Sequence, residues 1–296
     1  MYPAEFDYFA PRTLEEALAL LGRYGDDAKI LAGGQSLLPM MKLRIAGPRY
    51  LIDINRVEGL SGLRRDGDRL VIGALCRHAD VLASPVVRDE VPLMWDAAAQ
   101  TADVQVRNRG TVAGSLAHAD PAGDWPAALM ALDTEVTVAG PGGTRAIALD
   151  RFIVDAYTTA LHVNEIVTGL AVRIPPQPGG GAYVKFEKRA GDFAVASVGV
   201  QVALDGARVR QAAISLGALG PTPIRVRAAE ELLRGSTEAG DEVSRAEPLV
   251  REAAQPFEDT RGSVEYKRHL AGVLFRRAWA VALDRAHGRM VGTVHV

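Results

Sequence analysis

The segment Asn108-Arg-Gly-Thr-Val-Ala-Gly-Ser-Leu-Ala-His-Ala-Asp-Pro-Ala-Gly-Asp124 is rich in small residues and turn formers. It has neither a helical nor a strand period, so it reads as a long irregular stretch. Inside it, Thr111-Val-Ala-Gly-Ser115 offers hydroxyls, unhindered backbone N–H groups and no bulky side chain. A second segment of the same chemistry, Ala32-Gly-Gly-Gln-Ser36, follows directly on a predicted strand, Lys29 to Ala32. A diphosphate needs this combination of close backbone approach and several donors without crowding. Ordinary tight turns are the alternative for either loop. Neither loop is G-x-G-x-x-G or G-x-x-x-x-G-K-[ST], so the usual nucleotide fingerprints are absent.

Two carboxylates, Asp120 and Asp124, stand close behind the second loop. At contact distance they would repel a diphosphate. They suit sugar or ribityl hydroxyls, from which an ionised carboxylate accepts hydrogen bonds. Asp124 also reads as the N-cap of a helix with Pro126 in its first turn. His118 has no second His or Cys at ligand spacing, which argues against a metal site. No catalytic nucleophile is legible, since G-x-S-x-G is absent and neither Ser36 nor Ser115 has a His or Asp partner at elbow spacing. Cys76 is flanked by Arg77 and His78, which could lower its pKa, but a buried structural cysteine is the favoured reading. Further on, Lys185-Phe-Glu-Lys-Arg-Ala-Gly-Asp-Phe193 interleaves cations and aromatics. It reads as a half-buried strand edge, or as a segment reaching across a cleft to a ligand.

Outward from these loops the chain divides into lobes. Thr13-Leu-Glu-Glu16 is a capping box opening an amphipathic helix, and Tyr50 to Ile54 is a strand, giving an α/β lobe over residues 1–57. A second lobe, 58–176, has strands at Arg69 to Ile72 and Glu165 to Ile174. It also has helices at His78 to Ala83, Pro92 to Thr101 and Asp124 to Leu132, and a hairpin across Gly140-Pro-Gly-Gly143. Pro175-Pro-Gln-Pro-Gly-Gly-Gly181 reads as a linker. A third domain, 177–288, follows as a three-stranded meander over Ala182 to Lys188, Ala194 to Leu204 and Arg208 to Ala218. Asp205-Gly206 makes its second turn. Helices then run over Arg225 to Arg234, Val243 to Ala254 and Val264 to Ala286. Residues 289–296 read as a loose tail. The class is α+β.

With 34 basic and 36 acidic residues in 296, the net charge is −2, which excludes electrostatic capture of nucleic acid. The single cysteine excludes an intrachain disulfide, a Cys-rich zinc site and an iron–sulfur cluster held by this chain alone. No signal peptide and no transmembrane run of ~20 apolar residues is visible, so the expected location is the cytoplasm.

Three motifs then occur in order: Ala-Gly-Gly-Gln-Ser-Leu-Leu-Pro at 32–39, Gly-Thr-Val-Ala-Gly-Ser-Leu-Ala-His-Ala-Asp-Pro-Ala-Gly-Asp at 110–124, and Lys-Arg-Ala-Gly-Asp-Phe-Ala at 188–194. From Phe6 to about Ala286 the chain resembles the FAD-binding medium subunit of the molybdenum hydroxylases, the xanthine dehydrogenase family. The likeness is strongest to the medium subunits of aerobic carbon monoxide dehydrogenase and its relatives.

The resemblance implies a two-lobed FAD-binding domain of the vanillyl-alcohol oxidase (PCMH) type, followed by a C-terminal antiparallel sheet with helices. It implies that Ala32, Gly33, Gly34, Gln35, Ser36 and Leu37, with Thr111, Ala113, Gly114 and Ser115, clasp the FAD diphosphate. Asp124, and more weakly Asp120, would bind the ribityl or ribose side. Ile166 would lie by the adenine or the flavin edge, and Lys185 or Lys188 with Phe193 would approach the isoalloxazine ring. Two departures stand out. Ala113 replaces a glycine usual in the family, and its methyl is tolerable only with φ below zero. Phe193 replaces a common tyrosine, so it can stack but lacks the hydroxyl.

The implied role is electron relay. A large partner subunit would hold a molybdenum–pterin centre and a small one two [2Fe–2S] clusters, together forming a dimer of heterotrimers. FAD would pass electrons on to a quinone, NAD or oxygen. The complex would sit in the cytoplasm or at the inner membrane face. A stand-alone FAD oxidase of the same fold and an assembly subunit without FAD are the competing readings.

Overall fold

The protein is described by a computed structural model covering residues 2–237 and 241–294. Its first lobe contains β1 (Asp7–Phe9), α1 (Leu14–Tyr24), β2 (Ala28–Leu31), α2 (Leu37–Lys42) and β3 (Tyr50–Asp53). The strands form a parallel sheet in the order β1-β3-β2. Thr13 caps α1 by accepting from the Glu16 N–H, as the capping box requires. The reciprocal arm lands one residue early, because the Glu16 carboxylate accepts from the Arg12 N–H at 2.8 Å.

The second lobe runs through β4 (Leu63–Asp66), β5 (Arg69–Gly73), α3 (His78–Ala83), α4 (Pro85–Glu90), α5 (Pro92–Gln100), α6 (Val104–Arg107), α7 (Val112–His118) and α8 (Asp124–Met130). It continues with β6 (Thr134–Gly140), β7 (Gly143–Ala148), α9 (Leu149–Phe152), β8 (Ile153–Asp155), β9 (Thr158–Thr159) and β10 (Ile166–Arg173). Its five-stranded antiparallel sheet has the order β4-β5-β10-β6-β7. The inner face presents Leu70, Ile72, Val136, Val138, Leu170 and Val172 at alternate positions, all buried in one core with Leu93, Met94, Trp125 and Phe152. That core also takes in Ala17, Leu21 and Ile52 of the first lobe.

The third part comprises β11 (Gly179–Phe186), β12 (Ala196–Asp205), β13 (Arg208–Gly217), β14 (Ile224–Arg225), α10 (Arg227–Leu233), α11 (Glu242–Ala253) and α12 (Val264–Ala286). The sheet order β11-β12-β13-β14 makes a meander, with Gly206 at φ +57° in its second turn. Both faces of this sheet are covered. Ala182, Val184, Val198 and Val200 pack in a core with Leu274, Phe275 and Ala278 of α12. On the other face Gly217 stands where a Cβ would come 2.5 Å from the Ala127 Cβ of α8. The fold is α+β: two lobes that share one core, followed by a C-terminal sheet-and-helix domain.

Four elements differ from the sequence expectation. Residues 112–118 are helical, because Thr111 accepts from the Gly114 N–H and Val112 and Leu116, one turn apart, are fully buried. Asp124 begins α8 but does not cap it; Gly123 is the cap and the carboxylate points elsewhere. Gly179 to Gly181 belong to β11 rather than to a linker. A Cβ on Gly180 would sit 2.1 Å from the Ala282 carbonyl of α12, so glycine permits the helix to lie directly on the strand. Finally, the segment after α12 is docked. Arg285 donates to the Val291 and Gly292 carbonyls and Thr293 donates to Asp96 at 3.0 Å. Asp96 and Arg285, both buried, are paired at 2.6 Å. Residues 295–296 of the expected tail lie outside the described residues. No helix among the described residues is long and apolar enough to cross a membrane, and no cluster of His, Cys, Asp and Glu there could hold a metal ion.

Candidate functional site

The two glycine loops meet over a cleft of about 640 Å³, inside the range of ~300–1,000 Å³ for small-molecule sites. Ala32 to Leu37 line one wall; Thr111, Ala113, Gly114 and Ser115 line the facing one. The loops touch backbone to backbone. A Cβ on Gly33 would lie 2.4 Å from the Arg109 carbonyl oxygen and 2.7 Å from the Gly110 Cα. Gly34 has φ +75°, the left-handed region in which glycine is free of strain. The N–H groups of Gly34, Gln35 and Ser36 and the hydroxyls of Ser36 and Ser115 have no hydrogen-bond partner among the described residues. A walled cleft with convergent unpaired donors fits an extended anion such as the FAD diphosphate. Ala113 lies inside α7 with a right-handed backbone, so its methyl meets the condition set by the sequence.

Asp124, Ile166 and Phe193 also line the cleft. The Asp124 carboxylate is nearly buried, accepts from the Tyr183 hydroxyl at 2.8 Å and lies 3.3 Å from the Lys185 ammonium through either oxygen. Burial pushes its pKa up, and the Lys185 charge is the largest influence opposing that. Phe193 is 49 % exposed at the mouth, with the Arg261 guanidinium 6.0 Å from its ring centroid and 3.6 Å from Asp192.

Three expected site residues do not face the cleft. Lys185 is buried behind Asp124, where it also donates to the Gln100 carbonyl at 2.9 Å and pairs with Glu187 at 2.9 Å. Alternation along β11 puts it on the same face as Tyr183, against the FAD-binding domain. Lys188 is drawn away by the Thr260 carbonyl at 2.6 Å. Asp120 is engaged in its own turn, accepting from the Ala122 N–H at 2.9 Å, with His118 at 3.9 Å.

The structure adds residues that carried no local signal. His78 and Trp125 line the deep end, their rings stacked 5.6 Å apart. Burial pushes the His78 pKa down to about 4, with Arg107 and Arg77 adding to the effect, so the ring is neutral at pH 7. Cys76 is fully buried, and burial pushes its thiol up to about 12; Arg77 does not offset this, so it is an inert core residue. Ala102 and Tyr157, at φ +45° and +55°, line the cleft, the kind of backbone strain that concentrates at ligand sites.

Two facing loops with unpaired donors, an apolar-walled cleft and a buried carboxylate beside it suit a ligand-binding protein whose ligand carries a diphosphate and hydroxyl groups. Comparisons with known proteins specify the class. Residues 4–177 match the family described as "FAD binding domain in molybdopterin dehydrogenase", and residues 181–282 match "CO dehydrogenase flavoprotein C-terminal domain". The carbon monoxide dehydrogenase medium chain of Hydrogenophaga pseudoflava is 41% identical over 96% of this chain and 99% of its own. A subunit of the 6-hydroxypseudooxynicotine dehydrogenase complex of Paenarthrobacter nicotinovorans is 38% identical over 97% of each. The solved carbon monoxide dehydrogenase from H. pseudoflava superposes with a TM-score of 0.94 at 42% identity, covering 96% of this chain and 99% of that one. Quinoline 2-oxidoreductase from Pseudomonas putida 86 superposes with a TM-score of 0.90 at 31% identity, covering 98% and 100%. The chain belongs to the FAD-binding medium subunits of the molybdenum hydroxylases, and is an oxidoreductase subunit.

Proposed function

We propose that this chain carries electrons between [2Fe–2S] clusters in a small partner subunit and an external acceptor, while a large partner subunit holds the molybdenum–pterin centre. The observation that carries the reading is the backbone contact between the Gly33 and Gly110 loops with unpaired donors beside it. The N–H groups of Gly34 to Ser36 and the hydroxyl of Ser115 bind the diphosphate. Asp124 accepts from a ribityl or ribose hydroxyl, and the Lys185 charge beside it opposes the upward push of burial on that carboxylate. Ile166 and the loops' methylene surfaces exclude water from the cleft wall, and Phe193 stacks at its mouth beside the flavin ring. When bound, FAD supplies the exchange between one-electron and two-electron redox chemistry. With one cysteine, buried and un-ionised, this chain supplies no thiolate set for a cluster, so the clusters belong to a partner. A quinone, NAD and oxygen are the candidate acceptors.

The test is purification of the chain alone and co-expressed with its partner chains, followed by a visible spectrum and identification of released flavin. The expected result is non-covalent FAD near one per chain, with iron and molybdenum co-purifying in the assembled form. A protein that stays colourless with excess FAD even with its partners present overturns the proposal.

A further inference from the structure

The two loops come from different lobes, and no backbone hydrogen bond joins them among the described residues. Glycine-to-backbone contact at Gly33 permits close approach but does not enforce it. The bonds that tie the loops together come from two side chains that do not line the cleft. Asn55, just after β3, donates through Nδ2 to the Ala32 carbonyl at 2.8 Å. Arg77 donates through Nη2 to Asn55 Oδ1 and through Nη1 to the Arg109 carbonyl. A continuous chain of bonds thus runs from the first loop to the second.

Both ends of this strut are anchored. Asp53 Oδ1 accepts from the Asn55 N–H at 2.9 Å, and its other oxygen accepts from the Tyr8 hydroxyl at 2.5 Å. Arg77 sits in a backbone bridge to Thr111, with the His78 N–H donating to the Gly110 carbonyl at 3.1 Å. A guanidinium presents several N–H groups in a rigid plane and can bind two acceptors at once; an ammonium is a single point on a flexible stem.

We propose that Arg77 and Asn55 are positioning residues that set the spacing of the two glycine loops, and with it the fit of the diphosphate between them. The proposal rests on the reading of those loops as the diphosphate clasp. It separates two roles of Arg77. If the charge alone mattered, lysine would serve; if the fork matters, lysine fails as methionine does.

The test uses the full chain with its partners, in wild-type form and as Arg77→Met, Arg77→Lys and Asn55→Ala. FAD and riboflavin, which lacks the diphosphate, are the probes. All three variants are expected to weaken FAD binding by about 10- to 100-fold, the size seen when groups that orient metal ligands are removed, and to leave riboflavin binding unchanged. Combining Arg77→Met with Asn55→Ala should add little, since both cut one chain of bonds. Amide hydrogen exchange on the free chain supplies a ligand-independent readout. Exchange should quicken at 32–36 and 109–115 together in Arg77→Met. Full FAD binding by Arg77→Lys, or faster exchange confined to 78–83, overturns the proposal. A wild type that binds FAD no better than riboflavin overturns the clasp reading instead, and the exchange measurement still decides the strut.

Discussion

Replacing Lys185 by methionine tests whether the C-terminal domain completes the site. Lys185 and Asp124 are 2 % and 8 % exposed and lie 3.3 Å apart. Methionine keeps the length and loses the charge, leaving buried Asp124 with the Tyr183 hydroxyl as its remaining direct partner and taking the cation from the partly buried Glu187 as well. Breaking a buried pair from one side costs about 3–5 kcal/mol, a large part of a typical stability of ~5–15 kcal/mol. At ~2–4 °C per kcal/mol for a chain of this size, the melting temperature should fall by roughly 6–20 °C. The pH dependence has a definite sign. Burial already raises the Asp124 pKa, and losing Lys185 raises it further, so the folded variant binds a proton there more tightly than the unfolded chain does. Stability then falls as pH rises, and the deficit is larger at pH 8 than at pH 5. Adding Asp124→Asn removes the more deeply buried charge, keeps an acceptor for Tyr183 and should restore the part of the loss due to Asp124, leaving that due to Glu187. Calorimetry of the single and double variants at both pH values checks this. A loss under about 1 kcal/mol, the scale of an exposed ion pair, would refute the reasoning, as would an equal deficit at both pH values or no rescue by Asp124→Asn.

Gly33→Ala must open the contact from 2.4 Å to the 3.0 Å or more that real Cβ atoms keep; at an overpacking cost of about 1–3 kcal/mol, a FAD titration should show binding about 5- to 150-fold weaker with the circular dichroism spectrum unchanged. Ala113→Gly should leave FAD affinity unchanged and lower stability by about 0.5–1 kcal/mol, because it places glycine inside a helix; the same titration and a melting curve check both. His78 has a folded pKa of about 4 against an ordinary ~6.5, so between those values the unfolded chain binds the extra proton and stability falls as pH drops. His78→Phe, keeping the stack on Trp125, should flatten the acid limb by about 1.4 kcal/mol per pH unit, measured by denaturant unfolding.

The legible parts of this fold were those written locally. The Thr13 cap, the Asp205-Gly206 turn, the three-strand meander and the span of α12 all follow from propensity and period, and both glycine loops line the cleft as their composition suggests. Helix α7 was hidden by its own glycine and serine, which favour turns; the Thr111 cap and the apolar pair Val112 and Leu116 were the available signals. Gly180 resembled linker glycine because what excludes a side chain there is a helix more than a hundred residues later. Lys185 lies on the strand its sequence predicts but turns to Asp124, 61 residues away, and no local pattern records that pairing. Asn55 and Arg77 matter through hydrogen bonds to the carbonyls of other loops or to each other, a kind of contact that leaves no trace in residue type.

The strand order and the buried charges have a consequence for folding during synthesis. Strand β10 is the last of its five to be made and occupies the centre, so β5 and β6 have no common neighbour until it emerges. Asp96 and Arg285 are separated by 189 positions, and at ~5–20 residues per second of synthesis the acid waits roughly 10–40 s for its counter-charge. Both glycine loops are translated before β10 and before Lys185, which pairs with Asp124 beside them. Until β10 is made, β5 and β6 each present an unpaired edge, the kind of surface on which strands of other chains pair.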